Sequence, residues 1–292
     1  MRRATLLILA ILLTGCAAGV KVTYSRLDWL ITSWAGNYVD LDPAQKQILR
    51  ASVQDIHAWH CRTHLPRYAV WLTTIDSGLT RTGSSVDIDS WYREFNTAWH
   101  ELVNLAVPAL AQVGATLTDA QVAQLLARVE TGHRKYYRET VDLAPDRLRA
   151  HYDDAMRDEL ERWTGRLTPA QRQRVTRWSG QIELLQAERR ALREQWRADL
   201  AAALALRHQR PEFERRLHRL LAGNGMRGND NYRTSYAANT RRVLTLIADI
   251  ANDLTPEQRR RVSGKLALYA STFSSLECAA PATALRTASA NP

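Results

Sequence analysis

A five-residue phrase recurs four times in this chain: Leu41-Asp42-Pro43-Ala44-Gln45, Leu117-Thr118-Asp119-Ala120-Gln121, Leu167-Thr168-Pro169-Ala170-Gln171 and Leu254-Thr255-Pro256-Glu257-Gln258. Each copy spells a helix start. Asp42, Thr118, Thr168 and Thr255 are N-caps whose side-chain oxygen can take a free N–H of the first turn. Proline at the next position in three copies, Pro43, Pro169 and Pro256, gives up an N–H that would have gone unpaired. Gln45, Gln121, Gln171 and Gln258, three residues after each cap, can reach back to the cap's own N–H and close a capping box. The preceding leucine can form half of a hydrophobic staple. Four such starts constrain the chain to helices.

The rest of the sequence agrees. No segment alternates with period two, and 13 glycines and 9 prolines are few for 292 residues. The expected fold class is all-α, built of antiparallel helical hairpins packed as a bundle. One helix, over about 169–207, is expected to be its long spine. There Val175, Trp178, Ile182, Leu185, Leu192, Trp196 and Leu200 step mostly by three, four or seven, close to a coiled-coil seam. A short amphipathic helix is expected within 22–40, and Pro66 should break or kink the first boxed helix. The Ser/Thr/Gly-rich stretch 80–86 and the stretch 223–231 read as loops. A duplication into two boxed units, about 41–140 and 167–277, fits the box spacing. The tail 279–292 is expected to be disordered.

The N-terminus sets the compartment. Met1-Arg2-Arg3 and the apolar run Leu6 to Leu13 have the form of a signal peptide over residues 1–15. That run is shorter than the roughly 20 residues a spanning helix needs. Leu13-Thr14-Gly15-Cys16 resembles the bacterial lipobox, which implies cleavage before Cys16 and its modification with acyl chains such as palmitate. The alternative is an ordinary secretory signal with a chance cysteine. Ala17 rather than Asp follows Cys16, so by analogy the anchor ends in the outer membrane with the body, 16–278, facing the periplasm. The covalent lipid is the only cofactor implied. Cys61 and Cys278 then remain in an oxidising space. The sequence leaves open whether they are bridged; a bridge would tie the last helix to an early one.

Two resemblances follow from these residues. The phrase Leu-Thr-x-x-Gln is similar to the signature of the LTxxQ-motif periplasmic proteins, helical stress chaperones and their regulators; the first copy has Asp42 in place of Thr. A closer resemblance rests on Tyr24-Ser25-Arg26-Leu27-Asp28-Trp29-Leu30, Tyr38-Val39-Asp40-Leu41, Trp59-His60 and Leu65-Pro66-Arg67-Tyr68. These look like a proteobacterial lipoprotein family known only as a domain of unknown function. That resemblance implies a helical outer-membrane lipoprotein with no established activity. Cys61 departs from the family's pattern, which puts any bridge outside its plan.

Candidate chemistry is sparse. His57, His60, Cys61 and His64 share one helix face, and imidazole and thiolate at that spacing could hold zinc or copper; packing and hydrogen bonding are the plainer role. Glu130-x-x-His133 is a single copy where di-iron bundles need two. His100-Glu101-Leu102-Val103-Asn104 lacks the second histidine of a zinc protease. The acidic run Asp153, Asp154, Asp158, Glu159 and Glu161 alternates with arginines and reads as a solvated, salt-bridged face. No nucleophile elbow, Walker loop or dinucleotide fingerprint occurs, so an enzyme is not expected.

The net charge is +10, carried mainly by arginine. Arg189-Arg190, Arg215-Arg216, Arg241-Arg242 and Arg259-Arg260-Arg261 are candidates for contact with anions, although surface arginines also serve solubility alone. Outside the cytoplasm nucleic acid is not the expected partner. The expectation is a non-catalytic lipoprotein that binds an envelope partner or an unfolded or anionic client, chaperone-like or stress-related. A metal-dependent role for His57, His60 and His64, or a purely structural envelope role, are the alternatives.

Overall fold

The computed structural model describes residues 17–80, 87–223 and 228–278. Cys16 and the leader before it, the tail from 279, and residues 81–86 and 224–227 of the two expected loops lie outside the described residues. Those residues form eleven α-helices and no strand: α1 (Ala17–Ser25), α2 (Leu27–Ala35), α3 (Pro43–Thr80), α4 (Ile88–Ala115), α5 (Asp119–Tyr136), α6 (Pro145–Thr164), α7 (Pro169–Gln181), α8 (Gln186–Ala205), α9 (Arg210–Ala222), α10 (Asp230–Asn252) and α11 (Pro256–Ser274). A π-helical turn, Tyr137–Val141, follows α5. The all-α reading of the sequence holds. Among the described residues no helix is long and apolar enough to cross a membrane.

All four boxes cap helices as their chemistry requires. The hydroxyls of Thr118, Thr168 and Thr255 accept from the N–H of Gln121, Gln171 and Gln258 at 3.2 Å, and Asp42 accepts from Gln45 at 2.8 Å. Each glutamine Oε1 accepts the cap's own N–H in return, at 2.9–3.0 Å.

The boxes also meet in pairs. Gln45 Nε2 donates to Gln121 Oε1 at 2.9 Å, and Gln121 Nε2 donates to Gln45 Oε1 at 2.7 Å. Gln171 and Gln258 exchange the same two bonds, both 2.9 Å. The second N–H of each amide goes to the carbonyl two residues before its partner's cap: Thr116 for Gln45, Asp40 for Gln121, Asp253 for Gln171 and Arg166 for Gln258. Every donor and acceptor of the amide is thereby used, which burial demands. Gln45, Gln171 and Gln258 are buried. The box leucines face two different cores.

Leu41 and Leu117 join a first core with Leu49, Val53, Val103, Val107, Leu204, Phe213 and Leu217. Leu167 and Leu254 join a second with Leu79, Ile88, Val175, Trp178, Ile182, Leu246, Ile250 and Leu266. Helices α3 and α4 serve both, because each is long enough to place one end in either cluster. The box pairs and the cores therefore coincide: boxes one and two close the first, boxes three and four the second.

Three expectations about helix boundaries are corrected. The spine over 169–207 is two helices, α7 and α8, and the longest helix is α3 at 38 residues. The break falls at 182–185, where Ile182 is extended with ψ 128°. The Asn239 amide accepts from Glu183 N and donates to Glu183 O, while Arg149 Nη1 donates to the carbonyls of Ser179, Gly180 and Ile182. These satisfy the backbone groups a helix end leaves open, so the chain can turn. Val175, Trp178 and Ile182 then enter the second core, while Leu200 and Trp196 serve the first. Pro66 does not break α3, which runs on through it; Leu65 is buried and Cys61 is bonded to Cys278, so tertiary contacts on both sides outweigh one missing helix bond. The amphipathic segment at 22–40 is two helices, α1 and α2, parted at Arg26.

Candidate functional site

Helices α7 and α10 lie side by side and leave a groove of about 480 Å³ between them. The third box starts α7, and its Gln171 holds the carbonyl of Asp253 at the end of α10. The cap chemistry thus fixes one end of the groove. Four arginines line it, Arg174 and Arg177 from α7 with Arg241 and Arg242 from α10, above a floor that includes Trp178, Ala238 and Leu246. Asp249 is the carboxylate of the lining.

The four guanidiniums are not equivalent. Arg174 is held by Asp249 at 3.8 Å and Asp253 at 3.5 Å. Arg242 is held by Glu183 at 3.0 Å and by the Asn239 carbonyl oxygen at 2.9 Å. Arg177 and Arg241 are exposed and make no ion pair among the described residues. Trp178 is buried, and its indole N–H has no acceptor among the described residues. This arrangement can receive an anion at Arg177 and Arg241, the two guanidiniums not already paired with a carboxylate among the described residues.

The arginine pairs read from the sequence mostly serve other ends. Arg189 donates to the Tyr152 hydroxyl at 2.6 Å. Arg190 pairs with Asp142 at 2.5 Å and lies over the Tyr137 ring. Arg215 and Arg216 share Glu212, and their hydrogen bonds hold its carboxyl below the usual range. Arg241 and Arg242 do come together with Arg174 and Arg177. Arg259, Arg260 and Arg261 stand on the first turns of α11 without an ion pair among the described residues. Arg174 and Arg177 were missed because they are not a doublet; only the packing of α7 on α10 makes them one site with Arg241. In the acidic run Asp153 is buried, not solvated, and pairs with Arg157 at 2.5 Å.

The histidine face forms a second polar cluster, midway along α3 between the two cores. His60 Nδ1 and the Tyr24 hydroxyl of α1 are hydrogen-bonded at 2.9 Å. His64 is fully buried and its Nε2 lies 2.9 Å from Glu101 of α4. Arg67 donates to the same carboxylate at 2.6 Å, and this bond leads in holding Glu101 below the usual carboxylate range. Burial pushes His64 below its ordinary value despite Glu101. The neutral ring therefore donates from Nε2 to Glu101 and accepts at Nδ1 from the Tyr68 hydroxyl, 3.0 Å away. Burial, and then the nearby His64 and His57, push His60 down to about 4. Burial pushes Tyr68 up to about 12 and raises Tyr24 as well.

These contacts bear on the metal alternative. Nδ1 of His60 and both ring nitrogens of His64 are taken up by tyrosines and Glu101, and Cys61 is bonded to Cys278, their Cα atoms 5.6 Å apart. Among the described residues no three such groups converge to hold a metal ion.

The cluster makes acid a specific threat to the fold. A histidine with a depressed folded value is neutral in the native state and charged in the unfolded chain below about pH 6.5, so stability falls as pH drops through 6.5 towards 4. His60 alone removes about 3 kcal/mol between pH 7 and pH 4; buried His133, also pushed down to about 4, acts in the same direction. Urea midpoints should decline steadily over that window, and His60→Gln should flatten the decline; an unchanged slope in the variant would remove His60 from the account.

Comparison with curated proteins and with solved structures finds no match. A family model described as a family of unknown function, DUF6279, matches residues 37–233. The matched span holds the first three boxes, the histidine face and the α7 wall of the groove. The fourth box, the α10 arginines and Cys278 follow it. With well over half its length matched, the chain belongs to this family of unknown function, DUF6279.

Proposed function

We propose that this protein is a non-catalytic lipoprotein, anchored through Cys16 in the outer membrane and facing the periplasm, that holds an anionic envelope partner or an unfolded acidic client in the α7–α10 groove. The observation that carries the reading is Arg177 and Arg241, exposed on facing helices and without an ion pair among the described residues. Guanidiniums already paired with Asp or Glu offer little to a ligand, because the ligand must compete with a covalently tethered carboxylate. Arg177 and Arg241 carry no such competitor. Acyl chains on Cys16 would keep the groove near the membrane, each buried CH₂ contributing about 0.8 kcal/mol. A chaperone-like or stress-related role is the most concrete form of this reading, and it agrees with the four LTxxQ-type boxes.

The mature chain should slow the aggregation of a denatured acidic protein at low salt and lose that effect as salt is raised, because exposed charges are screened beyond about 10 Å at 0.1 M. The double variant Arg177→Glu, Arg241→Glu should be ineffective at every salt concentration while keeping its melting temperature. Equal protection by both proteins, or none by either, would count against the reading.

A further inference from the structure

We infer that the α7–α10 groove is a binding site for a phosphate monoester bearing an apolar or aromatic substituent. This rests on the groove being the anion site of the preceding section and goes further by naming the ligand's chemistry.

Charge comes first. A phosphate monoester carries about −1.5 to −2 at neutral pH and offers three strong acceptor oxygens. Arg177 and Arg241 are two uncommitted guanidiniums on opposite walls, so a dianion can engage both, whereas a carboxylate leaves one charge unmet. Planar guanidiniums also suit phosphate geometry, since each can donate two parallel N–H bonds. Asp249 does not forbid an anion because Arg174 already holds it, at 3.8 Å.

The second observation is independent of charge. Trp178 is 8% exposed, and its Nε1 is buried without a hydrogen-bond partner. A buried donor without an acceptor costs about 1–3 kcal/mol. An indole N–H can only donate, so the group that satisfies it must be an acceptor, and a ligand oxygen at the groove floor is one. Trp178 is one of the ten residues that line the groove.

Size gives the substituent. About 480 Å³ is within the range of small-molecule pockets and far more than bare phosphate fills. The floor is apolar at Ala238 and Leu246 and aromatic at Trp178. Arg174 and Arg242 are held in place by Asp249, Asp253 and Glu183, so these two side chains lose little freedom on binding.

Titration calorimetry of the mature chain tests this with four probes: inorganic phosphate, phenyl phosphate, benzoate, and vesicles of phosphatidylcholine with or without phosphatidic acid. Phenyl phosphate should bind, inorganic phosphate more weakly, and benzoate about ten-fold more weakly than phenyl phosphate, as the loss of one charge-assisted bond implies. Arg177→Ala with Arg241→Ala should weaken phenyl phosphate about ten-fold or more while the protein keeps its melting temperature. Binding to phosphatidic acid vesicles with no binding of phenyl phosphate supports the site and assigns it to a lipid headgroup, provided the arginine variant abolishes it. Equal affinity for phenyl phosphate and benzoate, or affinity unaltered in the variant, overturns the inference. If no phosphate compound binds while an acidic polypeptide still does in a salt-dependent way, this inference fails and the broader anionic reading stands.

Discussion

Gln171→Glu should destabilise the protein by about 3–5 kcal/mol at neutral pH, the cost of a buried charge left without a compensating partner. Gln171 is fully buried, and its Nε2 supplies the hydrogen bonds to Gln258 Oε1 and the Asp253 carbonyl. A carboxylate of the same shape still accepts from the N–H of Thr168, as Gln171 Oε1 does, so the helix cap survives. It has no proton for the other two acceptors, which then face negative oxygen across 2.9 Å. The effect isolates the pairing function of the residue from its capping function. The same change at Gln121 should cost less, since that side chain is only partly buried and water can reach it. Equilibrium urea unfolding of the two variants measures both; a Gln171→Glu protein within about 1 kcal/mol of the wild type would mean that pairing contributes nothing beyond an ordinary hydrogen bond.

Removing the disulfide should have a comparable effect by a different route. Cys61 and Cys278 are 217 residues apart in sequence, and a cross-link over such a loop restricts the unfolded chain by up to about 5 kcal/mol. Cys61 is buried on α3, while Cys278 follows α11, the helix that packs most extensively on α3. Cys61→Ala with Cys278→Ala should lower the urea midpoint, and amide exchange should quicken first along the last turns of α11. A reducing agent should shift the wild type towards the variant and leave the variant unmoved. Coincident midpoints for wild type and double variant would show that the unfolded chain gains nothing from release of the bond.

The helices were legible because capping chemistry is local: Asp42, Thr118, Thr168 and Thr255 announce their own starts. Their pairing was not, because nothing in a five-residue phrase says which phrase it will meet. One signal was present. A capping box accepts glutamate as readily as glutamine, and all four copies carry glutamine, the residue that can donate and accept at once. The seam over 169–207 misled for the opposite reason. Its period is helical throughout, and the break at Glu183 is imposed by Asn239 and Arg149, residues 56 and 34 positions away from it. The spacing of His57, His60, Cys61 and His64 did place them on one helix face, yet their partners come from α1, α4 and the end of the chain. Glu101, which anchors His64, stands in the His100–Asn104 segment that fails as a zinc motif. The groove was half visible in Arg241-Arg242; its other wall needed tertiary structure. The same glutamines that join boxes three and four set α7 against α10, so the site inherits its geometry from the caps.

The central claim, that the four boxes act as two reciprocal pairs, is tested most directly by double-mutant cycles among Gln45, Gln121, Gln171 and Gln258, each replaced by leucine. Residues in one hydrogen-bond network show coupling of about 0.5–3 kcal/mol, and distant ones add within about 0.5 kcal/mol. The pairing seen here predicts strong coupling for Gln45 with Gln121 and for Gln171 with Gln258, and simple additivity for Gln45 with Gln258. Additivity within both pairs, or coupling of equal size across them, would contradict it.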